Sequence, residues 1–209
     1  MVDYFAGTPL DEAIVGTDYN NASDTLSTDE CGNVYFCVDP GVDVAMDFNT
    51  TGYWPTVYEN IRLTQSFDFQ AAPLFLSSLI TSELEGTNVS PAVDITQPIV
   101  DVVVLASPDG GCPAADWTFQ LEDMSGAPVA SGGVVYFNGL SLQAGSGTTA
   151  DGLAIFYNVD SSVGALQVIG SNAMAPKCVV TYDDYQLTGV VPVANRSISF
   201  YPYPITYMP

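Results

Sequence analysis

Apolar and polar residues alternate along much of this chain with the period of two that a half-buried strand requires. Ala13 and Val15, the run VDVAMDF (42–48), Val134 and Tyr136, and Leu153, Ile155, Phe156 and Val159 all carry the pattern. Turn signals separate these runs: Gly7-Thr8-Pro9, Asp29 to Asn33, Pro40-Gly41, Gly126-Ala127-Pro128 and Asp151-Gly152. Glycine there allows a positive φ, and proline presets φ for the turn. Short strands punctuated every ~8–12 residues predict a β-sandwich. The run IVDVVVLAS (99–107) predicts a well buried strand. One segment, AAPLFLSSLITSELE (71–85), breaks the period, because Ala72, Phe75, Leu76, Leu79, Ile80 and Leu84 fall on one helical stripe. Pro73 sits near its start, where a missing N–H is harmless, so one short amphipathic helix is expected there, packed against a sheet.

The grammar occurs twice. AGTPLDEAIV (6–15) and STDECGNVYFCVDPG (27–41) are echoed by SGAPVASGGVVYF (125–137) and TTADGLAIFYNVDSSVG (148–164). Gly7 to Gly32 spans 25 residues and Gly126 to Gly152 spans 26. The expected organisation is therefore a first sandwich module (1–68), a helix-containing linker (69–98) and a second module (99–209) with insertions at 108–117 and 171–186. Pro202 and Pro204 in the tail, RSISFYPYPITYMP (196–209), confine it to a sheet edge or an extended surface run.

Four cysteines allow three pairings, and Cys31 with Cys37 and Cys112 with Cys178 is the one consistent with this division. Zinc is disfavoured, since the chain has no C-x-x-C pair and no histidine. The cysteines and the Tyr-, Gly-, Thr- and Asn-rich composition point to a secreted or cell-surface protein. No apolar run reaches the ~18 residues of a membrane span.

The resemblance rests on Gly7, Pro9, Leu10, Ala13 and Val15, then Thr28, Gly32 and Tyr35 or Phe36, then Pro40-Gly41, then Gly52, Tyr53 and Pro55. These positions resemble the motif of carboxypeptidase regulatory-like domains, which are transthyretin-like β-sandwiches. The second copy matches at Gly126, Pro128, Val129, Thr149, Asp151, Gly152, Phe156 and Gly164 but lacks the Gly-Tyr-x-Pro ending. The resemblance implies an all-β fold of two tandem transthyretin-like or Ig-like antiparallel sandwiches with one linker helix. It also implies a non-catalytic role, binding or spacing at the cell surface, and its motif residues are structural. The family has a full strand before its Gly-x-Pro turn, where this chain offers only Val2 to Phe5. The open sheet edge that results is expected to be completed by the 196–207 tail or by a neighbouring chain.

Charge narrows the partners. With 24 Asp plus Glu against 3 Lys plus Arg, the net charge is −21, so nucleic acid is not expected as a partner. Without histidine there is no Ser-His-Asp or Cys-His machinery, and carboxylates such as Glu30, Glu59 and Glu122 form no recognisable pair, so catalysis is not expected. No cofactor is expected, with Ca²⁺ as the one alternative: Asp29, Glu30 and Asn33 in one turn, Asp109 near Cys112, and Asp183 with Asp184 offer oxygen ligands. Their ordinary role is to hydrogen-bond turn backbone. Tyr53, Trp54 and Trp117 stand beside turns and are the candidates for stacking on a glycan or anchoring a protein. The functions to weigh are thus a binding or spacing module, a subunit that assembles with itself through sheet edges, and a carbohydrate-binding accessory.

Overall fold

The computed structural model describes residues 1–3, 6–19, 22–35, 37, 39–63, 73–75, 77–107, 110–139, 141–181 and 188–208. Its strands are β1 (Val2–Asp3), β2 (Ile14–Tyr19), β3 (Ala22–Ser27), β4 (Val42–Asn49), β5 (Thr56–Leu63), β6 (Pro73–Leu74), β7 (Ile99–Leu105), β8 (Thr118–Asp123), β9 (Gly133–Phe137), β10 (Leu142–Gln143), β11 (Leu153–Tyr157), β12 (Ala165–Ser171), β13 (Cys178–Val180), β14 (Val191–Pro192) and β15 (Ile198–Tyr207). A single α-helix, α1 (Ser77–Gly86), appears among the described residues. The fold is all-β, as the period-two pattern requires.

A ten-stranded sheet runs in the order β10-β9-β11-β7-β15-β5-β4-β2-β3, with β13 paired to the far end of β15. A second sheet, β14-β12-β8, lies apart from it. Pairing is antiparallel except where β15 runs parallel to both β7 and β5, and where β1 runs parallel to β6. The tail thus completes the sheet of the first half, bridging β5 to β7 from within one chain.

This central place corrects the edge position expected from Pro202 and Pro204. Ser197 C=O accepts from Ile99 N–H on the β7 side, whereas Pro204 C=O accepts from Thr181 N–H on the other side. Strand alternation therefore turns both proline nitrogens away from β7. On the side they face, β5 pairs with β15 up to Phe200 and β13 pairs with it from Ile205, with Thr181 opposite Pro204, so among the described residues Pro202 lies within neither ladder and Pro204 stands at the end of one. A proline costs a sheet only where a partner carbonyl waits for its N–H.

The two cores are divided by the sheet. On β7, β11 and β15 one set of alternate residues (Ile99, Leu153, Ile155, Tyr157, Ile198, Phe200) joins a cluster with Val15, Phe48, Trp54, Phe75, Ile80 and Leu84. The other set (Val100, Val102, Val104, Ala154, Phe156, Tyr201, Tyr203) packs against Leu121, Leu166, Val168 and Val191 of the smaller sheet. These strands are apolar on both faces because both faces are covered.

The helix is shorter than its stripe. Ile80 and Leu84 are buried as expected, but Pro73 and Leu74 pair with Val2 and Asp3 as a strand, and the helix starts only at Ser77. Ala72 and Leu76 lie outside the described residues. A strand expected through Val34, Phe36 and Val38 is not formed at Asn33 to Tyr35, and Phe36 and Val38 lie outside the described residues. The corresponding segment of the second half is β11, held between β7 and β9, whereas residues 33–35 enter no strand pair among the described residues.

Candidate functional site

One local arrangement, a threonine clasp, occurs in both halves, and the second sits elsewhere than the glycine spacing indicates. In the first half, buried Thr28 clasps the segment after the Gly7 turn: its hydroxyl donates to Leu10 C=O at 2.6 Å and accepts from Ala13 N–H at 3.0 Å. Its backbone pairs with Ala13 C=O and Glu12 N–H. In the second half Thr148 does the same to residues 114–117. Its hydroxyl donates to Ala114 C=O at 2.6 Å and accepts from Trp117 N–H at 3.0 Å, and its backbone pairs with Trp117 C=O and Asp116 N–H. Glu12 and Asp116 occupy matching positions with φ of 52° and 66°, and Gly32 and Gly152 follow at 75° and 69°. GTPLDEA (7–13) thus corresponds to GCPAADW (111–117). The turn at Gly126-x-Pro128 exists, with Gly126 N–H bonded to Asp123 C=O, but it joins β8 to β9. Thr149, expected to match Thr28, instead donates to Phe137 C=O.

The clasp decides the fate of the aromatics. Trp117 takes the buried place that Ala13 holds in the first half; it is 2% exposed, and its indole N–H donates to Pro113 C=O at 2.9 Å. Trp54 is 6% exposed in the other core. Neither indole offers a face to a ligand, so both are packing residues where stacking platforms were expected. Tyr53 is half-buried and donates its hydroxyl to Asp3 at 2.6 Å. That bond, with partial burial and the nearby negative charge, pushes the phenol up to about 12.

Of the two expected disulfides, Cys112–Cys178 is formed and links residues 66 apart. It ties the loop before the second clasp to β13. Cys31 and Cys37 are free and exposed. Residues 31 and 33 donate their backbone N–H groups to the Asp29 carboxylate, which fixes Cys31 in a tight turn of its own. These bonds hold Asp29 below the usual carboxylate range, so the carboxylate serves the turn as an acceptor. Glu30 is exposed in that turn, and among the described residues no three acidic or cysteine side chains gather as a cation site. Asp109, Asp183 and Asp184 lie outside the described residues. Lys177, the one lysine, has its ammonium over the Tyr207 ring at 5.6 Å from the centroid.

A cleft of about 300 Å³ opens beside the second clasp, lined by Asp116, Thr118, Ser146, Ser171, Ala173 and Met174. Three chain segments meet there, and two buried polar side chains brace them. Thr148 holds 114–117, as described, while Asn172 donates to Ala115 C=O at 2.8 Å and accepts from Met174 and Ala175 N–H at 2.9 and 3.1 Å. Thr118 and Ser171 hydroxyls meet at 2.9 Å on the cleft wall. Sequence reasoning named none of these lining residues, because they are small, polar and far apart in the chain. The signal it could have used is the second Gly-x-Pro, at Gly111 to Pro113.

No protein-family model matches the chain, and a search of curated proteins finds no match. Among solved structures, the Bacillus anthracis TIE protein is 12% identical over 100% of this chain, with a TM-score of 0.34. GBS52, the minor pilin of the Gram-positive pathogen Streptococcus agalactiae, is 12% identical over 97% of this chain and 86% of its own, with a TM-score of 0.32. This chain spans about a third of the first of these proteins, 33% of its length. Superpositions this loose carry no argument about what the chain does. No described helix is long and apolar enough to cross a membrane.

Proposed function

We propose that this chain is a non-catalytic binding and spacing module of the secreted or cell-surface kind, made of two carboxypeptidase regulatory-like halves. Residues 1–68 and 99–209 supply the halves, and 69–98 the connection between them. The family reading is supported by the doubled threonine clasp, which gives the Gly-x-Pro and Thr-x-x-x-Gly positions of the motif a shared structural task. The spacing role is carried by one observation: β15 hydrogen-bonds to β7 on one side and to β5 on the other. Backbone ladders between two halves make a stiff unit, because bending it would break several hydrogen bonds in buried surroundings at once.

A second reading, a subunit that assembles with copies of itself, is favoured by the sheet's ends. β3 closes the path with no neighbour on its outer side among the described residues, and open edges invite strand addition. Light scattering across a concentration range, with and without calcium, separates the two. The spacing module keeps the 22.1 kDa mass of one chain throughout. Growth with concentration would replace it by assembly, and growth only with calcium would give the acidic turns that task.

A further inference from the structure

We infer that the cleft between Asp116, Ser146 and Ser171 binds a single neutral sugar ring of a glycan. The inference rests on the binding role proposed for the chain and gives that role a place. At about 300 Å³ the cleft stands at the small end of ligand pockets, matching one ring and not a chain of them. Its lining is divided as a pyranose is divided. Asp116, Thr118, Ser146 and Ser171 supply a carboxylate and hydroxyls to the lining, the Thr118 and Ser171 hydroxyls bonded to each other, while Ala173 and Met174 supply apolar groups. Met174 is 82% exposed, and an exposed, flexible thioether adapts to the surface of a ligand.

The cleft is also built before any ligand arrives. Buried Thr148 and Asn172 hold its three segments, and the Cys112–Cys178 bond flanks them. Asp116 keeps φ at 66° although it is not glycine. Pre-organisation of this kind spares a ligand the cost of ordering the site. A net charge of −21 repels phosphate, sulfate and acidic sugars, which leaves neutral rings. A carboxylate accepting from neighbouring sugar hydroxyls makes charge-assisted hydrogen bonds, the stronger kind.

The test is saturation-transfer NMR on the full chain with four probes at millimolar concentration: methyl glucoside, methyl mannoside, methyl galactoside and N-acetylglucosamine. Nα-acetyl-lysine amide serves as a cationic comparison. At least one sugar is expected to respond, and Asp116→Asn is expected to weaken its affinity roughly tenfold or more. Asparagine tolerates a positive φ, so this variant keeps the loop, and an unchanged melting temperature confirms it. Glu30→Gln, in the distant turn, leaves the response unchanged. Silence from all four sugars overturns the inference, as does a response that survives both Asp116→Asn and Ser171→Ala. A response from the lysine probe alone assigns the cleft to basic side chains and overturns it too. A chain that stays at one mass and binds no sugar keeps its spacing role and loses only this site.

Discussion

Asp101 is buried at a cost to the fold. It lies fully buried in the middle of β7 between Ile155 and Phe200, and neither carboxyl oxygen has a hydrogen-bond partner among the described residues. Burial pushes its carboxyl up to about 8, against about 3.9 for a solvated aspartate. Between those values the folded chain holds a proton that the unfolded chain has released, so this group's contribution to stability falls as pH rises. On moving from about pH 5 to about pH 8, the natural chain is expected to lose on the order of a few kcal/mol relative to Asp101→Asn. Urea midpoints of both chains at each pH measure this, and a difference that does not change with pH would sink the account. The clasp threonines make the second prediction. Thr28→Val and Thr148→Val keep the shape but each strands a backbone N–H and a C=O, so each is expected to cost about 1–3 kcal/mol. Similar losses at both positions support the equivalence of the two halves; a neutral Thr148→Val would end it. At this scale the sequence was only partly legible. Thr28 stood in the motif, but Thr148 and Thr149 adjoin each other and only the fold distinguishes them.

Among the elements, β13 depends most on covalent help. It has three residues, pairs with β15 alone among the described residues, and is held to the 112 loop by the disulfide. Replacing Cys112 and Cys178 together by alanine is expected to lower stability by about 2–4 kcal/mol. Amide exchange should quicken first at Cys178 to Val180, since a short edge strand opens before the sheet does. If exchange there stays slow, the pairing with β15 suffices by itself. β12 shows how an element can hinge on one absent side chain. A Cβ at Gly170 would meet Phe119 and Tyr203 ring atoms at 2.7 Å, where Gly170 N–H now donates to the Tyr203 hydroxyl at 3.0 Å. Period-two alternation located β2, β4, β9 and β11, because side-chain direction along a strand is a local property of the backbone, and a continuous apolar run located β7. The helical stripe misplaced the start of α1, where pairing with β1 claimed Pro73 and Leu74 from the segment read as helix.

For the whole molecule, β15 couples what the sequence divides. Trp54 and Trp117 report on the two cores separately, so the single-tryptophan variants Trp54→Phe and Trp117→Phe can follow each one. Because the central sheet serves both cores, denaturant midpoints from the two variants are expected to coincide once corrected for each variant's own stability. Two separate transitions would mean that the halves fold independently. The sequence by itself determined the all-β class, the turns, one helix and the poverty of basic groups. All of these follow from local backbone preference or from composition. Only the tertiary structure decided the rest: which Gly-x-Pro each threonine clasps, that both tryptophans face inward, that a proline-bearing tail lies mid-sheet, and that three remote polar segments meet in one cleft. Those outcomes depend on which strands become neighbours, and that depends on burying both faces of β7, β11 and β15 at once, a condition no local pattern states.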